Sequence, residues 1–182
     1  MSTATKEKTI HAPVKVKRKR TKAPSDALRD LFEDELKDIY WAEKTLTHFI
    51  PKLIKQASSK DLLQALDNHL NETEEQASRL EQVFELIGMK TLASKCQAID
   101  GLIRETELSL KETEPGMIKD AEIITCVQKA EHYQLGTYTT LIAFARMLGE
   151  DEAVVLLEAT RSEENGTMQK MADLTEQTIQ LF

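Results

Sequence analysis

Apolar residues recur at intervals of three and four along most of the chain, which is the period of one face of an α-helix. Five segments carry this pattern, and it predicts helices over 25–58, 61–87, 91–113, 117–148 and 151–181. Only short turns separate the first helix from the second and the fourth from the fifth. Helices joined by such short turns pack antiparallel, so we expect two long helical hairpins.

Residues that begin, bend or end helices stand at the borders of these segments. Ser25 and Asp26 are candidate N-caps of the first helix, and Pro51 predicts a kink or a separate last turn there. Gly88 and Gly149 follow the second and fourth helices, where a glycine usually terminates a helix in the left-handed conformation.

The order of these elements predicts an all-α, antiparallel four-helix bundle over residues 25–182. A long crossover that carries its own helix joins the two hairpins, and one long crossover is also the plan of ferritin-like bundles. With 6 Gly and 4 Pro, the chain is poor in the turn formers that an all-β protein needs. Ferritin-like all-α architecture is therefore the predicted fold class.

Composition adds a predicted compartment. No stretch approaches the roughly 18 apolar residues of a membrane span, and no segment resembles a signal peptide, so we expect no membrane partner. The two cysteines, Cys96 and Cys126, are too few for a disulfide framework and fit a reducing environment. These observations predict a cytoplasmic protein.

The net charge of −7 conceals an uneven distribution. Residues 1–24 hold eight Lys or Arg and one acid, whereas residues 25–182 hold 16 basic and 30 acidic residues. Residues 1–24 also lack an apolar period, so we predict a disordered basic arm. Solubilisation is its simplest role, and nucleic-acid contact or docking on the chain's own acidic body are less favoured alternatives. The acidic body would not attract nucleic acid, so any such binding would fall to the arm.

Acidic residues interrupt the inward stripes of the long helices. Glu131 and Glu164 lie on the apolar stripes of the segments 117–148 and 151–181. In the first helix the period accommodates either Glu35 or Glu43, and in the second Glu72 lies at the edge of the apolar face. A buried carboxylate is costly unless something compensates its charge. One acid from each long helix is therefore the pattern of a dinuclear carboxylate site, in which two cations offset the charge.

Axial position leaves alternatives open. Counted from the first turn, Glu43 lies level with Glu72 and Glu75, which favours Glu43 as the ligand of the first helix. The direction toward the apolar face favours Glu35 instead. His69 faces inward and is an alternative ligand. His132 lies off the stripe, where a surface contact or orientation of Glu131 is the more ordinary role. Chance placement of acids in an acidic chain would explain the same pattern without a metal.

Several segments resemble the YciE/YciF family of bacterial ferritin-like stress proteins. The resemblance runs from about Ala27 to the C-terminus, and its motifs are LFEDELKDIYWAEK (31–44), HLNETEEQASRLEQVFELIG (69–88), KCQAIDGLI (95–103), AEHYQLGTY (130–138) and Glu163-Glu164. The resemblance implies a ferritin-like bundle, a dimer, a dinuclear metal site and a link to stress responses. It implies no defined reaction.

Carried onto this chain, the family's acids fall on Glu43, Glu72, Glu131 and Glu164. The chain departs from the Glu-x-x-His pattern of iron-oxidising ferritin-like proteins, because Glu75 and Thr167 stand three residues after Glu72 and Glu164. Position 134, where the family leads us to expect an acid, is Gln. Fewer imidazoles and less charge would weaken iron binding or favour harder ions.

Two functional hypotheses follow. In the first, two divalent or trivalent ions, iron or manganese, are held by these acids, and the protein handles peroxide or oxygen or sequesters the metal. In the second, the chain is a non-catalytic helical module for dimerisation or partner binding with a vestigial metal site.

Overall fold

The structure of the protein is a computed structural model that describes residues 23–179. Five α-helices and no strands make up this part of the chain: α1 Pro24–Ile54, α2 Lys60–Leu86, α3 Gln97–Glu112, α4 Met117–Leu148 and α5 Asp151–Ile179. The predicted basic arm lies outside the described residues except for Ala23 and Pro24. In 23–179 no helix combines the length and apolarity needed to cross a membrane.

Four of the helices form an antiparallel bundle, as the hydrophobic period predicts. α1 packs against α2 and α4, α5 packs against the same two helices, and α3 lies along α4 and touches α1. Two contacts between distant residues set the direction of α4. Asp120 accepts hydrogen bonds from the backbone N–H groups of Ser58 and Ser59, and Arg29 pairs with Glu150. The segment 87–116 therefore runs the length of the bundle, and the all-α fold with a helical crossover is confirmed.

The inward faces of the helices supply one apolar core. Its side chains interdigitate from all five helices, and each fully buried Leu, Ile or Phe contributes about 1.5–3 kcal/mol relative to exposure. The largest fully buried side chains are Tyr138, Phe32, Phe84, Leu36, Ile39, Ile50, Leu53, Leu62, Leu66, Leu80, Ile99 and Leu110. A layer of polar side chains interrupts this core.

The ends of α1 differ from the prediction. The helix begins at Pro24, with Ala23 at the N-cap position and no side-chain cap, so Ser25 and Asp26 are not the N-cap. Proline suits the first turn because its fixed φ is helical and its missing N–H needs no partner there. The helix runs through Pro51 and ends at Ile54, short of the predicted residue 58.

The crossover helix is shorter than the predicted 91–113. Residues 89–96 are not helical, and Ser94 N–H donates to the carbonyl of Lys37, which ties this stretch to α1. Leu92, an apolar residue of the predicted segment 91–113, is 49% exposed. Gly88 and Gly149 have φ angles of 71° and 76°, so the predicted left-handed helix ends are confirmed.

Candidate metal centre

A layer of polar side chains crosses the middle of the bundle. Glu43 of α1, Glu131 of α4 and Glu164 of α5 are each 0% exposed, and His69 of α2 is 2% exposed. Gln134, one turn after Glu131, is also fully buried. The helical period that buries the surrounding leucines and isoleucines places these groups inward as well.

Two donors on α4 hold the carboxyls of α1 and α5. Gln134 Nε2 donates to Glu43 Oε1 and to Glu164 Oε1, at 3.0 Å in each case. The Tyr138 hydroxyl donates to Glu43 Oε1 at 2.6 Å. One amide therefore lies between two buried carboxyls that belong to different helices.

His69 approaches the third carboxyl. Its Nε2 lies 3.2 Å from Glu131 Oε1, which is within ion-pair distance, but neither Glu131 oxygen has an aligned hydrogen-bond donor. Burial lowers the pKa of His69 to about 4, so the imidazole is neutral near pH 7. We therefore treat this contact as a close approach of a neutral ring and not as an ion pair.

The carboxylate of α2 lies at the edge of the layer. Glu72 is partly buried, and its Oε2 accepts a hydrogen bond of 2.8 Å from the Thr167 hydroxyl on α5. Its charge contributes to raising the pKa values of Glu131 and Glu164. All four long helices thus contribute a carboxyl group to this part of the bundle.

Burial is the main cause of the altered acidity in the layer. It raises the pKa of Glu43, and the nearby Glu164 charge raises it further. It also raises the pKa values of Glu131 and Glu164, and the charge of Glu131 raises that of Glu164 further. Four carboxyl oxygens have no donor other than a carboxyl proton, which Glu164 can donate to Glu131: Glu43 Oε2, both oxygens of Glu131 and Glu164 Oε2. An ionised carboxylate would therefore lack compensation at these atoms.

Three of the predicted alternatives lie outside this layer. Glu35 is partly buried, and burial followed by the charges of Asp38 and Asp34 raises its pKa. Glu75 is exposed. His132 is also exposed, and its Nδ1 lies 2.8 Å from the backbone carbonyl of Gln128. The structure brings together Glu43, Glu72, Glu131, Glu164 and His69.

An ion pair beside the layer was not anticipated from the sequence. Both oxygens of Glu163 accept hydrogen bonds of 2.8 Å from Arg79, whose Nη1 also donates to the buried Thr160 hydroxyl at 2.7 Å. Gln76 donates to the same carboxylate at 3.3 Å. The available signal was the spacing, because Gln76 and Arg79 continue the face of Glu72 by one and two turns. Arg79 and Glu163 join α2 to α5.

The chemistry of the buried donors fits a cation, although their arrangement is not that of a closed metal cage. In residues 23–179 no three His, Cys, Asp or Glu side chains are grouped around one point as metal ligands. The orphaned carboxyl oxygens and the unpartnered His69 Nδ1 are nevertheless buried donors of the type that divalent ions bind. The Gln134 amide lies where it partly satisfies two of these carboxyls.

Fold and layer define the class of protein: an all-α bundle with a helical crossover and carboxyl groups buried at its centre. A family model described as a domain of unknown function, DUF892, matches residues 27–182, and the chain belongs to this family. The chain is 40% identical over 148 residues to Protein YciF of Escherichia coli strain K12, covering 81% of this chain and 89% of that protein. The YciE/YciF resemblance is confirmed.

Solved structures agree with this assignment. A Rhodopseudomonas palustris protein described as YcfI, a putative structural protein, is 39% identical with a TM-score of 0.79, covering 86% of this chain and 97% of that one. The crystal structure of the E. coli stress protein YciF is 38% identical with a TM-score of 0.81, covering 84% and 97%. A Xanthomonas campestris protein, 17% identical with a TM-score of 0.67 and covering 84% and 93%, shares the fold.

Proposed function

We propose that this YciF-like protein is a cytoplasmic, ferritin-like stress-response protein that binds divalent cations in its buried carboxyl layer. The observation that carries the proposal is the presence of three fully buried carboxyls, on α1, α4 and α5, with four oxygens that have no donor other than a carboxyl proton. A family relationship to a protein described as a stress protein supports the stress-response part.

Burial makes the charge of the layer energetically costly. An ionised carboxylate in a low-dielectric interior costs several kcal/mol unless a cation or sufficient donors compensate it. The two donors from Gln134 and Tyr138 satisfy single oxygens of Glu43 and Glu164 only. The carboxyl of Glu131 and the other oxygens of Glu43 and Glu164 therefore need either a retained proton or a shared cation. A bound cation would favour the ionised forms and release those protons.

We assign the ligands as Glu43, Glu131 and Glu164, with Glu72 from the edge and His69 as the nitrogen donor. Oxygen donors with one imidazole suit manganese or iron, and two such ions would allow binding and activation of a small oxidant such as peroxide or oxygen. Sequestration of the metal is the second use of the same layer. The Tyr138 hydroxyl orients Glu43 through its 2.6 Å hydrogen bond. Apolar neighbours, including Val127, Ile142 and Met171, exclude bulk water.

Metal loading tests the proposal. Protein purified without chelator, or reconstituted with Mn²⁺ or Fe²⁺, is analysed for metal content, with Glu164→Gln as the test variant and Glu176→Gln, an exposed position of α5, as the control. We expect up to two ions per chain, a loss of at least one in Glu164→Gln, and no loss in the control. Wild-type protein that retains no iron, manganese or zinc after reconstitution would exclude the proposal.

One observation favours a second candidate, the non-catalytic helical module with a vestigial site. Gln134 bonds two carboxyls at once, and the layer holds no closed ligand group in the described part of the chain. A protonated layer held by this amide needs no metal. Thermal melts separate the two candidates, because a ligand that binds the folded state raises the melting temperature and an unbound ion does not.

We propose a homodimer that uses the outer surface of the crossover, where Leu108 is 64% exposed and the neighbouring Ile118 of α4 is 52% exposed. Sedimentation equilibrium would test it. The less favoured role of residues 1–24 in nucleic-acid binding predicts that their removal abolishes a salt-sensitive gel shift.

A further inference from the structure

A small cavity between α2 and α5 connects the buried layer with the surface. Its volume is about 120 Å³, and its lining includes His69 and Glu72 on the inner side. The exposed residues Asn68, Gly166 and Lys170 line the outer side. The same cavity therefore touches solvent and two members of the polar layer.

Gly166 lines the outer mouth of this cavity. A Cβ atom added there would meet no atom within 4 Å, so the space beside α5 is open. Further along the same pair of helices the contact is closed, because Arg79 binds both Glu163 and Thr160. On this side the opening therefore ends before Glu163.

The inner lining offers two cation ligands, one after the other along the cavity. Glu72 presents a carboxylate that Thr167 holds by one oxygen, Oε2. Behind it lies His69, which is only 2% exposed and whose Nδ1 has no hydrogen-bond partner. A divalent ion that loses its water shell needs replacement donors at each step, and a carboxylate followed by a neutral imidazole supplies them. Lys170 adds an opposing positive charge to the rim.

We infer that the gap between α2 and α5 at Gly166 is the portal through which a divalent cation reaches the buried carboxyl layer, with Glu72 and His69 as its first ligands. This inference rests on the proposed metal-binding function. It goes further in assigning a route, in which Glu72 and His69 bind the ion before it reaches Glu43, Glu131 and Glu164.

The test compares two glycine variants in a kinetic experiment. Gly166→Leu fills the gap, whereas Gly136→Leu is the matched control at another exposed helical glycine with open space around it. Both changes replace a poor helix former with a good one, so both variants should fold, which far-UV circular dichroism and melting curves check. Uptake of Co²⁺ is followed by stopped-flow absorbance, and final stoichiometry by elemental analysis.

We expect Gly166→Leu to take up Co²⁺ at least about tenfold more slowly than wild type and to reach the same final stoichiometry, because no carboxyl of the layer is altered. Gly136→Leu should match wild type. Lys170→Glu should accelerate uptake at low ionic strength, and the gain should disappear in about 0.5 M salt.

The outcomes distinguish a failure of metal binding from a failure of the portal alone. Wild-type protein that binds none of Co²⁺, Mn²⁺ and Fe²⁺ at equilibrium would exclude the proposed function and the portal with it. Normal loading kinetics in Gly166→Leu, or equal slowing in Gly136→Leu, would exclude the portal and leave the proposed function intact. Reduced final stoichiometry in a folded Gly166→Leu would also overturn the portal, since the variant would then act on ion retention and not on entry.

Discussion

Gln134 lies between two buried carboxyls that would otherwise repel each other when ionised. Its single NH₂ group donates to Glu43 and to Glu164, so it offsets part of the cost of burying both. A cation in the layer would offset the same cost more completely. Gln134 therefore influences both the stability of the metal-free protein and the affinity for a metal.

Replacing Gln134 with Glu should move these two properties in opposite directions. In the presence of EDTA we expect Gln134→Glu to lower the free energy of unfolding by about 1–3 kcal/mol, because two donors are lost and another carboxyl is buried. With Mn²⁺, the added oxygen ligand should tighten binding about tenfold. Urea unfolding and isothermal titration calorimetry measure the two effects. Gln82→Glu at an exposed position of α2 is the control, and lower affinity in Gln134→Glu would contradict the assigned ligand set.

Single inward acids were predictable from the sequence, but their partners were not. The period of the helices identifies Glu131 and Glu164 as inward, and the structure buries both completely. Between Glu35 and Glu43, axial position and side-chain direction disagreed. The structure buries Glu43 and leaves Glu35 partly exposed. The hydroxyl of Tyr138 bonds Glu43 from another helix, and periodicity within one helix contains no information on such contacts.

Helices and their order follow from the sequence more reliably than helix ends do. Apolar periodicity extends over many turns, whereas an end depends on a few local hydrogen bonds. Cys96 is an example: its sulfur accepts from the Ile99 N–H at 3.5 Å and caps α3, although cysteine is not a preferred capping residue. The apolar pattern predicts helix over residues 91–96. In the structure this stretch is not helical, and Ser94 N–H donates to the Lys37 carbonyl of α1.

Asp120 joins two parts of the chain that the sequence does not visibly connect. Its two carboxylate oxygens accept from Ser58 and Ser59 N–H at 2.7 and 2.8 Å, so the start of α4 fixes the turn between α1 and α2. We expect Asp120→Ala to lower the free energy of unfolding by about 1–3 kcal/mol, since two partly buried donors lose a charged acceptor. Urea denaturation measures this loss. Asp67→Ala on the exposed face of α2 should cost less than about 0.5 kcal/mol, and equal costs would refute the role of Asp120.

The complete bundle makes the layer's protonation a property of folding. Glu43, Glu131 and Glu164 come from three helices, and only their packing together removes them from water. In the unfolded chain each carboxyl has its ordinary pKa of 4.5, whereas burial raises it in the folded state. His69 behaves in the opposite way, since burial lowers its pKa from 6.5 to about 4.

These shifts predict how the stability of metal-free protein depends on pH. The stability contributed by the three carboxyls is fully present below about pH 4.5 and is lost as pH rises through their folded-state pKa values, because the folded state then binds more protons than the unfolded state. Between about pH 4 and 6.5, His69 has the opposite slope and masks part of this loss. Above pH 6.5 His69 no longer masks the carboxyl contribution, so the free energy of unfolding in EDTA should fall from pH 6.5 to 8.5.

Divalent ions should reverse this trend, because they bind the ionised carboxylates and their affinity grows as protons leave. We therefore expect the gain in melting temperature from Mn²⁺ to be larger at pH 8 than at pH 6.

In Glu164→Gln, the decline of the unfolding free energy with pH in EDTA should be shallower by up to about 1.4 kcal/mol per pH unit, the contribution of one proton. Glu176→Gln should keep the wild-type slope. A flat profile above pH 6.5 in wild-type protein would mean that the buried carboxyls are compensated without protons, and the charge argument for a cation would then have no basis.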